Sequence, residues 1–557
     1  MPDTLWFLDI SNNQITGLPA KLPHRLQELR VDKNLLNRLP NQLPKMLKMP
    51  SVASNQLDKL PDVLPDNLIL LDASYNQLKT LSEILPNKLR TLLANHNQLT
   101  SLSADLPSGL MTLKVYGNQL KSLPNKLPLG LITLDVGDNQ LITLPVNLPT
   151  RLELLNVNRN QLTSLSDNLP NTLKDIHASY NKLATLTNKL SDSLEILHLA
   201  GNQLTSLPKN LSDYLIELNV ERNQLTSIPD DLPFGIIKLI VSHNQLTALS
   251  DNLPESLQFL AASHNKFTQL SDRLPPSLEY LDVSYNQLIS LPAELPYGLW
   301  CLLASDNQLN QLPNVIPALL NHVTISHNHI TEWPHFFDNL TYLDASYNRL
   351  TDLPADLPTD LHTLILHNNE LRALPAHLSE NLVFLDVHNN QIIALPEHLP
   401  LRLKYSDFTD NPLDSIPTRF PLQSPGWYDD FHSIDIPAEL LDWASDKDIT
   451  FDEFNGREIA VERIKQCIND NNSKSLDLSG LSLTRLPAHL PATITELRIN
   501  NNQLSVLPTS LPVKLKYLYA ADNQLNVLPG NLPNSLVYLD ISGNQLTALP
   551  NTLPIML

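Results

Sequence analysis

Glycine and cysteine are scarce in this chain, which has 13 glycines and two cysteines among 557 residues. Cys301 and Cys467 lie far apart, which argues against a disulfide framework and against a cysteine zinc site. No run of about 18 uncharged apolar residues occurs, so we expect no transmembrane helix. The opening residues, MPDTLWFLDISNN, do not have the pattern of a signal peptide.

Positive charge is also scarce, since 38 Lys and Arg face 58 Asp and Glu, a formal net charge of -20. Nucleic acid and anionic membranes would be repelled, so we expect neither as a partner. The sequence contains no Gly-rich phosphate loop, HExxH, GxSxG or paired CxxC, and we predict no catalytic site, cofactor or metal. The nearest constellation, Asp429, Asp430 and His432, is typical of an acidic surface loop.

Proline, by contrast, is abundant, with 44 residues, and a repeat accounts for it. The word Asn-x-Leu, or a close apolar variant, recurs every 21 residues from Asn13 to Asn328, which makes sixteen rungs. One shorter rung leads to Asn348, and the spacing of 21 then continues to Asn411, giving twenty rungs. After a gap the pattern resumes at Leu481, Asn502, Asn523 and Asn544.

Each unit reads LxxLxVxxNQLTSLPxxLPxx, as in residues 278–296. The alternation at LxV predicts a short strand with an apolar inner side, and successive strands stack into one parallel sheet. The asparagine predicts a ladder of carboxamides that satisfy backbone groups of a turn. The LPxxLP segment predicts an extended, polyproline-like convex wall. The fold class is therefore an α/β repeat solenoid: a leucine-rich-repeat superhelix with a concave parallel β-sheet, interrupted by a small helical cap.

The LPxxLP unit resembles the leucine-rich repeats of the IpaH and YopM type of bacterial effectors. Residues 457–487, REIAVERIKQCINDNNSKSLDLSGLSLTRLP, resemble the helical cap that opens the array in that family. The pattern agrees, because an apolar helical face is separate from the polar residues and Asn455 and Glu458 fit a capping pair. The apolar face holds Ala460, Ile464, Cys467 and Ile468, and the polar residues, expected mostly elsewhere, are Arg457, Glu458, Glu462 and Lys465.

Four segments follow: a solenoid of about 20 rungs at 1–413, a Pro-rich and aromatic connector at 414–436, a cap at 437–472, and a second array of about four rungs at 473–557. Many family members carry a novel-E3-ligase domain whose nucleophile stands in Cys-x-Asp, and neither cysteine here stands in that motif. An N-terminal cap is not seen, so we expect a fragment or a fusion, with oligomer formation possible through uncapped ends.

Function is predicted on the concave face, whose outward positions lie six, four, two and one residues before each asparagine. The column six residues before the asparagine is rich in aromatic residues. Buried aromatic anchors dominate the binding energy of protein interfaces. The candidate protein-binding residues are Phe259, Tyr280, Leu303, Tyr342, Tyr347, Ile365, Phe384 and Tyr405. The alternative is that these rings only stack on one another and bridge neighbouring rungs.

Histidines also recur on adjacent rungs, in the pairs 177 and 198, 243 and 264, and 367 and 388. Each pair would lie about 5 Å apart, which permits metal binding or pH sensitivity. No third ligand recurs, so solvated polar residues are the simpler interpretation. The same applies to Asp386 and Asp407, which could share a proton, bind calcium or face water.

The resemblance implies a protein-binding scaffold, a secreted effector that acts on a host protein in the host cytoplasm or nucleus. One alternative is the substrate-recognition portion of an IpaH-type ubiquitin ligase whose catalytic domain is missing from this chain. A weaker alternative is a repeat protein that is not secreted. Repeat faces built on one framework bind unrelated proteins, so the partner is not identified by the sequence.

Overall fold

The computed structural model describes three parts of the chain. They are residues 5–414 apart from 167, 188, 314 and 334–338; residues 443, 457, 459–461, 463, 464 and 467; and residues 474–544 apart from 488, 489, 509, 510, 530, 531, 534 and 542. The chain divides into two compact units, Met1–Gly426 and Trp427–Leu557.

The described residues form 24 strands of three residues each. The first unit contains β1 Phe7–Asp9, β2 Glu28–Arg30, β3 Met49–Ser51, β4 Leu70–Asp72, β5 Thr91–Leu93, β6 Thr112–Lys114, β7 Thr133–Asp135, β8 Leu154–Asn156, β9 Asp175–His177, β10 Ile196–His198, β11 Glu217–Asn219, β12 Lys238–Ile240, β13 Phe259–Ala261, β14 Tyr280–Asp282, β15 Cys301–Leu303, β16 His322–Thr324, β17 Tyr342–Asp344, β18 Thr363–Ile365, β19 Phe384–Asp386 and β20 Tyr405–Asp407. The second unit contains β21 Ser475–Asp477, β22 Glu496–Arg498, β23 Tyr517–Tyr519 and β24 Tyr538–Asp540.

Each strand pairs in parallel with the next one along the chain, so the first unit holds a 20-stranded sheet and the second a four-stranded sheet. A partner usually lies 21 residues away, as Phe259 opposite Tyr280. Between β3 and β4 only Ser51 and Asp72 pair, because Pro50 has no N–H to donate to the ladder.

The core lies behind the sheet and is built from the leucines of each unit. Leu278, Leu281 and Val283 are fully buried, while the flanking strand positions 280 and 282 are half-buried. Within each array, the described residues between successive strands form turns and irregular segments without helix. Each return path closes with a tight turn, as where the N–H of Leu299 donates to the carbonyl of Pro296 at 3.0 Å. The predicted leucine-rich-repeat solenoid is confirmed.

The predicted asparagine ladder is also confirmed. The side chain of Asn244 donates to the carbonyls of Val220, Val241 and Ser242 at 2.9, 3.0 and 3.2 Å. Its Oδ1 accepts from the N–H of Leu225 on the preceding rung at 3.0 Å. One buried carboxamide therefore joins two rungs and satisfies backbone groups that have no partner in the sheet.

The residue before each ladder asparagine adopts a left-handed backbone conformation, with φ near 50°, as at Tyr75, His264 and Tyr285. Non-glycine residues seldom adopt positive φ, and tyrosine has no short polar side chain to favour it. Three rungs use glycine directly before the asparagine instead, at Gly117, Gly201 and Gly543. The turn that leaves the strand imposes this conformation on every type of residue found there.

The short rung continues the sheet and the ladder without a break. His322 lies opposite Tyr342, and Asn348 accepts from the N–H of Ile330 at 3.0 Å. Trp333 is 7% exposed and joins the core. The sequence predicts that Trp333, Phe336 and Phe337, which replace the second Leu-Pro of this rung, change the local curvature, and both phenylalanines lie outside the described residues.

The cap in the second unit is helical wherever it is described, at residues 443, 457, 459–461, 463, 464 and 467. Ala460, Ile464 and Cys467 are buried, as predicted. Ile468, Asn455 and Glu458 lie outside the described residues, as do the connector beyond residue 414 and the triad at 429, 430 and 432. No helix among the described residues is long and apolar enough to cross a membrane.

Arg457 corrects the predicted polar side of this helix, because it is 1% exposed. Its Nη1 donates to the backbone carbonyl of Trp443 at 2.5 Å, and its guanidinium lies 5.1 Å from the centre of the Trp443 ring. Burial of a guanidinium is tolerated when its N–H groups are paired and its plane meets an aromatic face. Helical periodicity alone does not reveal such partners.

Candidate functional site

The eight predicted binding residues all lie on the concave face of the first array. In β14 the middle residue is buried while Tyr280 and Asp282 are half-buried, so the first and third positions of a strand face outward. The same pattern places Phe259, Tyr280, Leu303, Tyr342, Ile365, Phe384 and Tyr405 on this face. Tyr347, in the turn after β17, is 45% exposed.

The rings six residues before each asparagine, at the first position of the strands, form stacked pairs rather than one continuous stripe. Phe259 stacks on Tyr280, and Phe384 on Tyr405, each with ring centres 4.2 Å apart. Between them His322 stacks on Tyr342 at 4.3 Å. The rings therefore bridge neighbouring rungs, as the alternative interpretation requires, and the same half-buried rings remain available to a partner.

A second ring ladder runs along the turn positions. His243, His264 and Tyr285 stack with centres 4.0 and 4.1 Å apart, and His327 stacks on Tyr347 at 4.1 Å. The sequence analysis identified His243 and His264 as a pair and Tyr347 as a binding candidate, but it missed His327 and the ladder. The available signal was the recurrence of His and Tyr directly before the asparagine, where the left-handed turn projects each ring beside the next.

Charged residues lie on β10, β11 and β12, just before the aromatic region, which extends from β13 to the turn after β20. Lys238 forms an ion pair with Glu217 at 3.0 Å and lies 5.6 Å from the Phe259 ring centre. His198 Nε2 lies 3.0 Å from the same Glu217 oxygen without a well-aligned hydrogen bond. Burial alone would raise the pKa of Glu217, but the hydrogen bond and charge of Lys238, together with the adjacent His198, outweigh it and lower that pKa.

The aromatic region is acidic. From β13 to the turn after β20, the four outward columns, all of which the structure describes, contain no lysine or arginine. They contain six aspartates, at positions 282, 306, 344, 386, 407 and 410. Burial, and then the negative charge of Asp282, raises the pKa of Tyr280 to about 12. Burial lowers the pKa of His322, which favours its neutral form. The face therefore presents carboxylates beside neutral rings.

The predicted histidine pairs are adjacent in the structure. The rings of His243 and His264, and of His367 and His388, stack with centres 4.0 and 4.4 Å apart. Stacked rings direct their nitrogen lone pairs in nearly parallel planes, so they do not converge on one ion. In the remaining pair, His177 and His198 approach through their Nδ1 atoms at 3.0 Å.

One cluster could present ligand atoms to a cation. Suitable atoms of Asp386, His388 and Asp407 lie within 4.8 Å of one another. His388 Nδ1 donates to Asp386 at 2.7 Å, and Asp407 accepts from Thr409 Oγ1 at 2.7 Å. Each carboxylate therefore already accepts a hydrogen bond within this part of the chain.

Neither cysteine is placed for nucleophilic chemistry. Cys301 and Cys467 are both buried. Burial, and then the nearby charge of Asp282, raises the pKa of the Cys301 thiol to about 11. The reactive form of cysteine is the thiolate, which is almost unpopulated at neutral pH when the thiol pKa is so high.

Comparison with known proteins supports the repeat assignment. The family model described as Leucine Rich Repeat matches residues 277–301, 339–359 and 535–555. No curated protein sequence matches the chain. Among solved structures, YopM from Yersinia enterocolitica WA-314 is 30% identical over 96% of this chain and 90% of that chain, with a TM-score of 0.50.

Two further solved structures are similar. YopM from Yersinia pestis, described as a leucine-rich effector protein, is 34% identical over 61% of this chain and 88% of that chain, with a TM-score of 0.48. The Toll–Spätzle complex of Drosophila is 16% identical over 97% of this chain and 80% of that chain, with a TM-score of 0.51. The latter likeness concerns the fold alone.

Proposed function

Because the chain belongs to the leucine-rich-repeat family that includes YopM from Yersinia enterocolitica, we propose that it is a non-enzymatic scaffold that holds another protein on its concave face. The region between β13 and β20 is the binding surface. One observation carries the proposal: ordered, half-buried aromatic rings line this region beside carboxylates. Rigid rings supply contact area at low entropic cost and dominate interface energy.

The stacking alternative makes a different prediction. Rings that only bridge rungs would affect stability when removed, whereas rings that also contact a partner would affect affinity beyond any loss of fold. The exposure of Tyr285 and Tyr347, 50% and 45%, favours contact with a partner. Toll, which shares the fold, was solved in a complex with Spätzle, so an array of this kind accommodates a protein ligand.

We further propose that the bound protein is a host protein and that the chain is a secreted effector, which acts in the host cytoplasm or nucleus. The resemblance to YopM-type effectors supports this. The test is a reporter fusion of the full chain, expressed in bacteria with an intact or a disabled type III apparatus. Reporter activity inside infected cells that depends on the apparatus supports secretion. Activity that stays with the bacteria favours the non-secreted alternative.

We also propose that residues 437–472 cap a separate second array at 473–557, and that the connector at 414–436 joins it to the array at 1–413. Limited proteolysis tests this division. Cleavage confined to about residues 414–436 supports it, and early cleavage inside either array contradicts it.

The binding site is tested by affinity capture from eukaryotic cell lysate with the full chain. The test variant combines Phe259→Ala, Tyr280→Ala, Tyr342→Ala and Phe384→Ala. The matched control combines Tyr214→Ala, Phe234→Ala and Tyr297→Ala, rings that are 69%, 77% and 77% exposed and lie outside the strands. We expect the test variant to lose specific partners and the control to retain them.

Two further measurements make this result decisive. Circular dichroism and thermal unfolding must show that the test variant is folded at the capture temperature. Ubiquitin discharge from a charged conjugating enzyme tests the ligase alternative. Discharge that disappears on replacing Cys301 or Cys467 would make the chain an enzyme. Partners retained by the folded test variant would exclude the aromatic region as their binding site.

A further inference from the structure

The concave face repeats with a period of three rungs from β12 to β18. The third position of a strand is a half-buried aliphatic residue at Ile240, Leu303 and Ile365, in β12, β15 and β18. At the first position these strands carry Lys238, Cys301 and Thr363. Rings lie on both sides of Cys301 and of Thr363, whereas Lys238 has Glu217 on one side and the Phe259 ring on the other. The stacked pairs are therefore interrupted every third rung.

In β12 the protein itself shows what such an interruption accepts. Lys238 and Ile240 are the first and third residues of β12, and Lys238 lies opposite Phe259 in the next strand. Its ammonium group is 5.6 Å from the Phe259 ring centre and 3.0 Å from a Glu217 carboxylate oxygen. A cation is held here between a carboxylate and an aromatic face, an arrangement that is favourable for both groups.

In β15 and β18 rings and a carboxylate again lie in the adjacent strands, but neither strand carries a cation. Cys301 lies between Tyr280 and His322, and Thr363 lies between Tyr342 and Phe384. Both preceding strands have the sequence Tyr-Leu-Asp, which places Asp282 opposite Leu303 and Asp344 opposite Ile365. The carboxylates here neighbour the third position, whereas Glu217 neighbours the first position of β12.

The side chains of Cys301 and Thr363 are shorter than the rings on both sides of them, so a planar group above either residue would face two rings. Adjacent rings on this face stack with centres 4.2 and 4.3 Å apart, so a guanidinium at the level of β15 or β18 would stack on each neighbouring ring at about this distance. Cys301, only 4% exposed, forms the floor of the first gap. Trp300 stands at its rim, edge-on to Tyr280 at 6.4 Å. Asp282 and Asp344 form no ion pair with any residue that the structure describes.

We propose that the gaps at β15 and β18 are two equivalent slots that bind basic side chains, preferably arginines, from an extended segment of a partner protein. The slot at β15 comprises Tyr280, Asp282, Cys301, Leu303 and His322. The slot at β18 comprises Tyr342, Asp344, Thr363, Ile365 and Phe384. This inference rests on the proposed function and adds the chemistry of the partner.

The spacing of the slots fixes the spacing of the basic residues. Three rungs correspond to about 14 Å along the sheet, and an extended chain rises about 3.4 Å per residue. Four residues therefore span the two slots, and side chains at i and i+4 of an extended chain point to the same side. Basic residues at i and i+3 would point to opposite sides and could not fill both slots.

The test uses the full chain and two fluorescein-labelled peptides, GSRSGSRSG and GSRSGRSSG, measured by fluorescence anisotropy. The peptides have the same composition and charge and differ only in the arginine spacing. We expect the i, i+4 peptide to bind about tenfold more tightly, the change that one additional charge-assisted contact provides. Lysine in place of arginine should weaken binding, because an ammonium group does not stack between rings.

Variants of the chain separate the slots from general acidity. The double variant Asp282→Asn, Asp344→Asn should lose the spacing preference and bind the i, i+4 peptide about tenfold more weakly or worse. The matched control is Asp138→Asn, Asp410→Asn, which changes the net charge equally on the same face. Both control positions are left-handed residues, a conformation that asparagine tolerates.

A third pair of variants uses the Lys238 arrangement directly. In Thr363→Lys the new lysine side chain should occupy the slot at β18. This variant should therefore lose its preference for the peptide with arginines at i and i+4. Lys238→Thr should free Glu217 and the Phe259 ring from their own cation, so that a peptide with arginines at i, i+4 and i+8 binds more tightly than to the unchanged chain. Both substitutions exchange residues that already occupy equivalent positions in the array, so the fold should persist.

The inference is wrong if the two peptides bind equally, or if the slot and control aspartate variants have equal effects. General electrostatic attraction would then explain the binding of the peptides. That failure is distinct from failure of the proposed function. A partner whose capture depends on the concave rings, while neither peptide binds selectively, would keep the scaffold and reject the slots.

Discussion

At the scale of single residues, the buried asparagines hold successive rungs together. Replacing Asn244 by Ala removes four hydrogen bonds and leaves backbone groups of two rungs unpaired. Since an unsatisfied buried group costs about 1–3 kcal/mol, we expect the free energy of unfolding to fall by at least about 3 kcal/mol. Urea unfolding measures this. Asn252→Ala, at an exposed position between strands, is the control and should change little.

The left-handed turn residue gives a second prediction. Gly201 has a φ of 65°, and a Cβ there would lie 2.7 Å from the Tyr180 ring. Gly201→Ala should therefore destabilise the protein by about 1 kcal/mol, from backbone strain and displacement of the ring. Gly298→Ala, whose Cβ would meet nothing closer than 3.8 Å, is the control. An equal effect of both substitutions on the thermal midpoint would contradict the conformational explanation.

The burial of His322 gives a third prediction, which concerns how the stability of the protein depends on pH. Burial lowers its pKa below the usual value of 6.5, so the unfolded chain binds a proton more readily than the folded one. The stability associated with the neutral ring is present above about pH 6.5 and is lost as the pH falls. Cys301 and Tyr342, uncharged near this pH, occupy the neighbouring strands.

His322→Gln should accordingly flatten the dependence of unfolding free energy on pH between about 7.5 and 5.5. Urea unfolding at several pH values measures the slope. His24→Gln serves as the control, because His24 is exposed and lies near the other end of the first array. If the slope of the His322 variant equals that of the unchanged chain, burial of this ring does not contribute to the acid response.

At the scale of an element, β3 is the weak point of the large sheet. Pro50 stands where other strands carry a core leucine, and only one residue pair joins β3 to β4. Pro50→Leu restores a backbone donor and should stabilise the protein by about 1 kcal/mol, with slower amide exchange in β3 and β4. A loss of stability would mean that the core around residue 50 has no room for the leucine.

At the scale of the whole molecule, the array is a row of interchangeable units that contact only their neighbours. Deleting residues 140–160 removes one 21-residue unit with β8 and joins Asn139 to Gln161, which preserves the repeat. We expect a folded protein with little loss of stability. Deleting only residues 140–149 breaks the register and should unfold the neighbouring rungs, as circular dichroism and amide exchange would show.

Most of the fold follows from the sequence because each rung repeats the same local pattern. The alternation at Leu278, Leu281 and Val283 identifies the strand and its buried side, and the asparagine identifies the turn. Arg457 is the clear exception. Its helical position predicted a solvent-facing side chain, while contacts with Trp443, fourteen residues away, bury it.

The sequence alone therefore determined the repeat, its register, the concave face and which columns point outward, because all of these depend on local periodicity. Only the tertiary structure decided which rings stack, that Lys238 lies between Glu217 and Phe259, and that gaps at Cys301 and Thr363 recur three rungs apart. These features join side chains about 20 residues apart, whose distances arise only when the rungs are stacked.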